Sequence, residues 1–175
     1  MVILDTLDKS VFDFSTFSFQ DVVISDSTYE IQSFAHEFRV LLDLAPRINT
    51  LVQVTGVLDT VSGEIKVSYI SLDRSTLELQ EDVDLGFLPS NKTKPEGEGN
   101  FSYSLALKNN LPHNTYIENK ALIFFDANKP IKTNVHYNTV DILPPTSMVD
   151  GMPVELSDSV FEVSWGGLDP GAGIE

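Results

Sequence analysis

The sequence predicts an all-β chain folded as a sandwich of antiparallel sheets. Three observations carry this. The dominant hydrophobic pattern has period two, the strand-forming stretches are punctuated by Gly, Pro, Asn and Asp, and no long segment holds a helical stripe. Many short strands in series, without intervening helices, are the pattern of stacked antiparallel sheets.

Residues 2–4 and 20–25 are the first predicted strands. "AHEFRVLLDL" (35–44) alternates Phe38, Val40 and Leu42 against Arg39 and Asp43. It is the nearest approach to a helix, but its aromatic and β-branched content and the following Ala45-Pro46 favour a strand. Residues 48–55 form the next strand, and "TVSG" (60–63) is a hairpin loop with Gly63 free to adopt positive φ. "GEIKVSYISLD" (63–73) sets Ile65, Val67 and Tyr69 against Lys66, Ser68 and Ile70. "NFSYSLALK" (100–108) sets Phe101, Tyr103, Leu105 and Leu107 against Ser102, Ser104 and Ala106. Both have one buried and one wet face. Further strands are expected at 116–125, 131–142 and 158–165.

Between the strands, 80–99 is a long loop, functional or a local structure of its own. Its apolar centre, Phe87-Leu88-Pro89, is expected to tuck back against the sheets, and Gly97 and Gly99 to form a bulge or turn before the next strand. Asp126-Ala127-Asn128-Lys129 is a turn in which Asp126 and Asn128 accept backbone hydrogen bonds and Pro130 fixes the exit. On that reading Asp126→Ala costs on the order of 1 kcal/mol. Pro144-Pro145 cannot join a ladder and marks a linker. The expected organisation is a sandwich domain over 1–142, a linker over 143–153, and the first strand or strands of a following domain over 154–175.

Composition bounds the chemistry. The chain has 175 residues, 42% of them hydrophobic, enough to bury a core. Its net charge of −15 argues against nucleic-acid binding and against anionic membrane surfaces. The absence of cysteine excludes thiol nucleophiles, disulfides and thiolate metal sites. No apolar run approaches the ~18 residues of a membrane helix, so no membrane insertion is expected.

An ordered series of motifs carries a resemblance. "LDTLDKSVFDFSTFSF" (4–19), "GEIKVSYISLDRST", "GFLPSN", "EGEGNFSYSL", "IENKALIFFDANKPIKTN" and "NTVD" (138–141) follow one another over 1–141. Together they resemble an extracellular domain of very large bacterial surface or secreted proteins. The resemblance implies an immunoglobulin-like β-sandwich, an extracellular or cell-surface location, and neighbouring domains of the same polypeptide as partners. It also implies a family strand before residue 1, and hence an unpaired sheet edge near residues 1–5 or beside their usual partner. "VFEVSWGGLDPGAGIE" (160–175) resembles the opening of another repeat type, with Trp165 in its core.

No catalytic constellation is apparent, and a non-catalytic structural or adhesive module is expected, the alternative being a calcium-dependent or carbohydrate-binding module appended to a secreted hydrolase. His36, His113 and His136 lack metal-ligand spacing. No Gly-x-Ser-x-Gly elbow or Gly-rich phosphate loop occurs. Calcium is the one cofactor left open, because hard oxygen ligands cluster at Asp5/Asp8/Asp13, Glu81/Asp82/Asp84 and Asp126/Asn128. Asp126, Asn128, Asp82 and Asp84 are the metal candidates. The competing account is that such residues sit at strand ends to bond nearby backbone N–H groups. Other surface proteins or glycans are the external partners considered. A glycan site would need exposed aromatics, for which Tyr116 and Tyr137 are the candidates. Sequons occur at Asn91 and Asn100.

Overall fold

The computed structural model describes residues 1–33, 36–82, 85–151 and 160–169, the backbone only at 32 and 33, and absences below refer to these residues. Thirteen strands and no helix are present among them. Two compact units are formed, one by Met1–Lys108 with Asn119–His136, the other by Asn109–Glu118 with Tyr137–Glu175.

The first unit contains β1 (Val2–Thr6), β2 (Phe12–Ile24), β3 (Ser27–Ser33), β4 (Glu37–Asp43), β5 (Thr50–Asp59), β6 (Glu64–Asp73), β7 (Gly99–Leu107), β9 (Ala121–Phe124) and β10 (Ile131–Lys132). They form a six-stranded sheet in the order β10-β9-β1-β6-β5-β4 and a three-stranded sheet in the order β3-β2-β7. Every pairing in both sheets is antiparallel. Inward residues of the larger sheet (Phe38, Val52, Val54, Ile65, Val67) share one core cluster with Phe17, Phe19, Val22 and Ile24 of β2. That shared core makes the unit a β-sandwich, the alternation of each strand supplying one inner and one outer face. Phe19 meets Phe38 edge-on across it, with ring centroids 4.7 Å apart.

The β5–β6 hairpin forms as expected: the Gly63 N–H donates to the Asp59 carbonyl at 2.7 Å, and Gly63 has φ of +81°. The unpaired edge expected near residues 1–5 is not there. β1 is an interior strand, paired to β6 on one side and β9 on the other, and the sheet's edges are β10 and β4.

Several boundaries differ from the sequence reading for physical reasons. β2 runs from Phe12, well before residue 20, and register shifts at Asp13/Ser18 and Phe19/Asp21 bury Phe17, Ser18 and Phe19 in succession. Such bulges erase the period-two signal. β3 was not anticipated. The strand expected over 116–125 breaks at Lys120, because Thr115–Asn119 (β8) pairs with His136–Val140 (β11) whereas Ala121–Phe124 pairs with β1. The strand expected over 131–142 likewise divides into β10 and β11 (His136–Val140).

The second unit carries the β11-β8 sheet and a two-stranded β12-β13 sheet. β12 (Thr146–Val149) starts directly after Pro144-Pro145, within the stretch read as linker, and pairs with β13 (Trp165–Leu168). The strand expected over 158–165 therefore begins only at Trp165; residues 158–159 lie outside the described residues.

Candidate binding cleft and exposed aromatic pair

In the first unit, the 80–99 loop begins by extending the sheet. The Tyr69 N–H donates to the Met1 carbonyl at 2.9 Å, and two residues on, the Ser71 carbonyl accepts from Gln80 N–H at 3.0 Å. Leu79-Gln80 thus continues the line of β1 beyond Met1. The loop is then pinned to the sandwich. The buried Thr50 hydroxyl donates to the Leu85 carbonyl at 2.9 Å, and Phe87 lies flat on Tyr69 with centroids 5.5 Å apart. Burial raises the Tyr69 phenol pKa. Farther on, Asn91 closes the loop on itself, accepting from Gly97 N–H and donating to the Glu98 carboxylate. The described part of the 80–99 segment is therefore a local structure in its own right, with Phe87 buried and Leu88 packed on the core as expected, while Pro89 is exposed.

Between this loop and the 125–126 turn lies a cleft of about 480 Å³, lined by Met1, Tyr69, Gln80, Phe87, Phe125 and Asp126 among others. Its volume is in the range of small-molecule sites. The fold brings Asp126 and Gln80 to one cleft, although 45 residues separate them in the chain. Asp82 is tied to Gln80, its N–H donating to Gln80 Oε1 at 3.0 Å. Asp84 lies outside the described residues.

The turn at Asp126 is held differently from the sequence expectation. Asn128 N–H donates to the Phe125 carbonyl at 3.0 Å, so the backbone closes the turn. Asp126 contributes its conformation, a left-handed φ of +49°, and no side-chain bond of Asp126 or Asn128 to a turn N–H is present. Asp and Asn tolerate this region; glycine adopts it without strain. Asp126→Gly is therefore expected to leave stability unchanged or raise it by up to about 1 kcal/mol, and Asp126→Val to lower it by about 1–2 kcal/mol. Equal losses for both in urea melts would restore the side-chain explanation.

The remaining acid clusters are engaged locally. Asp8 accepts from the Ser10 N–H and hydroxyl, Asp13 from those of Ser15, and Asp73 from those of Ser75. Asp59 accepts from Val61 N–H and the Ser62 hydroxyl. A serine two or three residues after each Asp was the sequence signal for these turns. Among the described residues, no three His, Asp or Glu side chains converge as a metal site.

Serine hydroxyl bonds are the main reason that these four carboxyls sit below their ordinary pKa. A depressed folded pKa gives stability that is full above the unfolded value near ~3.9 and lost as pH falls through the folded value. The urea midpoint should therefore fall on acidification below about pH 4, and less steeply in a variant with Ser10, Ser15, Ser62 and Ser75 changed to Ala. Identical acid slopes would remove these turns from the account.

Asp5, grouped by sequence with Asp8 and Asp13, does something else. It is buried on the inner face of β1, where its Oδ2 accepts from the Tyr103 hydroxyl of β7 at 2.7 Å and from Asn119 Nδ2 at 3.1 Å. Its Oδ1 is buried without a hydrogen-bond partner. Burial, followed by the Asp5 charge, raises the Tyr103 phenol pKa. The group joins one sheet to the other. His36 is likewise structural, its Nε2 lying 2.9 Å from the Phe14 carbonyl.

In the second unit, Tyr116 of β8 and Tyr137 of β11 are 57% and 50% exposed, and their rings stack with centroids 5.2 Å apart. His113 Nδ1 lies 3.2 Å from Asp141 Oδ1, an ion-pair distance without hydrogen-bond geometry. Trp165 is 68% exposed on β13. The sequence names all these residues, but their exposure is set by strand pairing.

Residues 58–139, from the end of β5 into β11, match a family described as a domain of unknown function, DUF7619. No curated protein matches the chain. No solved structure matches it.

Proposed function

We propose that the chain is a non-catalytic structural or adhesive module of a multidomain bacterial surface or secreted protein, its sandwich of the immunoglobulin-like type. Its partners are the neighbouring domains of the same polypeptide, with other surface proteins or glycans as external ones. The observation that carries this reading is the use of polar side chains in the first unit. Asp5, Tyr103 and Asn119 tie the two sheets together, and Asp8, Asp13, Asp59 and Asp73 close the turns at strand ends. Groups spent in this way stiffen a scaffold. The test is surface labelling of intact cells that express the native gene. Labelling by an impermeant reagent is expected; confinement to the cytosol would sink the proposal.

The exposed Tyr116–Tyr137 stack favours a second reading, a glycan-binding module, because aromatic faces pack against the apolar faces of sugar rings. Tyr116→Ala is expected to abolish retention on a polysaccharide column without changing the melting temperature by more than about 2 °C. Unchanged retention would dismiss this reading.

A further inference from the structure

The two sheets of the first unit differ in width, and the excess lies on one side. Cross-strand register sets Phe38, Gly56, Val67, Ile3, Ile123 and Ile131 in one inward row across β4, β5, β6, β1, β9 and β10. Phe38 and Val67 are buried in the core, and Ile3 packs against it. Ile123 and Ile131 lie outside that cluster, and Ile131 is 56% exposed although its row faces inward. In the smaller sheet, β7 reaches β1 through the Tyr103 hydroxyl on Asp5, and it is the last strand on that side. The inner faces of β9 and β10 therefore extend past it, leaving about 10 Å of uncovered sheet.

The rim of this step is an open strand edge. At both ends of β7, even-numbered residues bond toward β2: Ser25 N–H donates to the Glu98 carbonyl and Lys108 N–H to the Val11 carbonyl, each at 2.8 Å. Ala106 N–H likewise donates to Thr16 Oγ1. Backbone groups alternate sides along a strand, so those of Phe101, Tyr103 and Leu105 point to the open edge. Among the described residues, no strand pairs with that edge. Natural edge strands are protected by charge or proline. β4 carries Glu37, Arg39 and Asp43, and β3 carries Glu30, whereas β7, GNFSYSLAL, has neither charge nor proline.

We infer that this step is a docking site for one extended strand of a partner protein. The strand adds to the open edge of β7 by main-chain hydrogen bonds and lays alternate apolar side chains on Ile123 and Ile131. Its intervening residues lie beside Ser102, Ser104 and Ala106 on the outer face, where the chain's net charge of −15 favours Lys or Arg over Asp or Glu. A second copy of the chain does not fit. Pairing β7 with its counterpart about a two-fold sets both wide sheets on the same side of the joined sheet, where each overhang would occupy the other's space. A single strand brings no second sheet and meets no such clash.

The experiment pans a phage-displayed library of random peptides, about as long as β7, against the full chain. Enriched peptides are expected to alternate apolar and polar residues and, once synthesised, to bind in the micromolar range. Their binding should slow hydrogen exchange at the Phe101, Tyr103 and Leu105 amides. Ile131→Asp, at an exposed position, should leave the urea midpoint unchanged and weaken peptide binding by about tenfold or more; the milder Ile131→Thr should weaken it about threefold. Leu122→Asp, on the opposite face of β9, should leave binding unchanged. The inference is overturned if no alternating sequence is enriched, if exchange slows only at other amides, or if binding withstands both changes at Ile131.

Discussion

Truncating Asp5 to Ala should lower the stability of the first unit by about 2–4 kcal/mol, the largest effect expected of any single polar group in the chain. Two donors, the Tyr103 hydroxyl and Asn119 Nδ2, converge on its Oδ2 across the gap between sheets. Removing the acceptor strands the Tyr103 hydroxyl proton in a half-buried setting and leaves Asn119 Nδ2 only its longer, 3.3 Å bond to the Tyr103 oxygen. Tyr103→Phe should cost about 1–3 kcal/mol, because the carboxylate keeps Asn119 but loses its shorter bond. Asp5 also carries a penalty of its own in the unpartnered, buried Oδ1. Replacing both ends together, Asp5→Leu with Tyr103→Phe, should therefore cost less than the sum of the single changes by about 1–2 kcal/mol. Urea denaturation of the four proteins closes this cycle. Strict additivity would show that the two groups do not act on each other.

Gly56→Ala should destabilise by about 1–3 kcal/mol although it adds one methyl group. Gly56 pairs with Phe38 on β4 and with Val67 on β6, and a Cβ there would lie 2.2 Å from Phe38 Cε1 and 3.0 Å from Phe19 Cζ. Those rings are already in edge-to-face contact with each other, so neither can retreat without disturbing its partner. Gly56→Val should cost more still. Phe38→Leu, destabilising alone, should recover part of the loss when combined with Gly56→Ala. If Gly56→Ala unfolds at the same urea concentration as the parent chain, the site is looser than its packing indicates.

Much of this scaffold was legible in the residues. The alternations of 35–44, 63–73 and 100–108 correspond to β4, β6 and β7, because on a two-faced sheet burial itself has period two. Gly63 and the apolar centre of the 80–99 loop were also readable, since positive φ and buried aromatics have local causes. β2 was largely hidden, because its bulges place three consecutive residues in the core. The candidate sites were less legible. Asp5, Asp8 and Asp13 look alike in sequence, yet one is buried between sheets and two close exposed turns.

By itself, then, the sequence determined the all-β class, the acidic surface, most of the strands and the absence of thiol chemistry. These follow from composition and from contacts between near neighbours. Only the tertiary structure decided that residues 115–124 belong to two different sheets. It likewise decided that Asp126 and Gln80 line one cleft and that Asp5 joins Tyr103. Each of these depends on pairing between strands distant in the chain, and the period-two pattern is the same for every partner a strand can take.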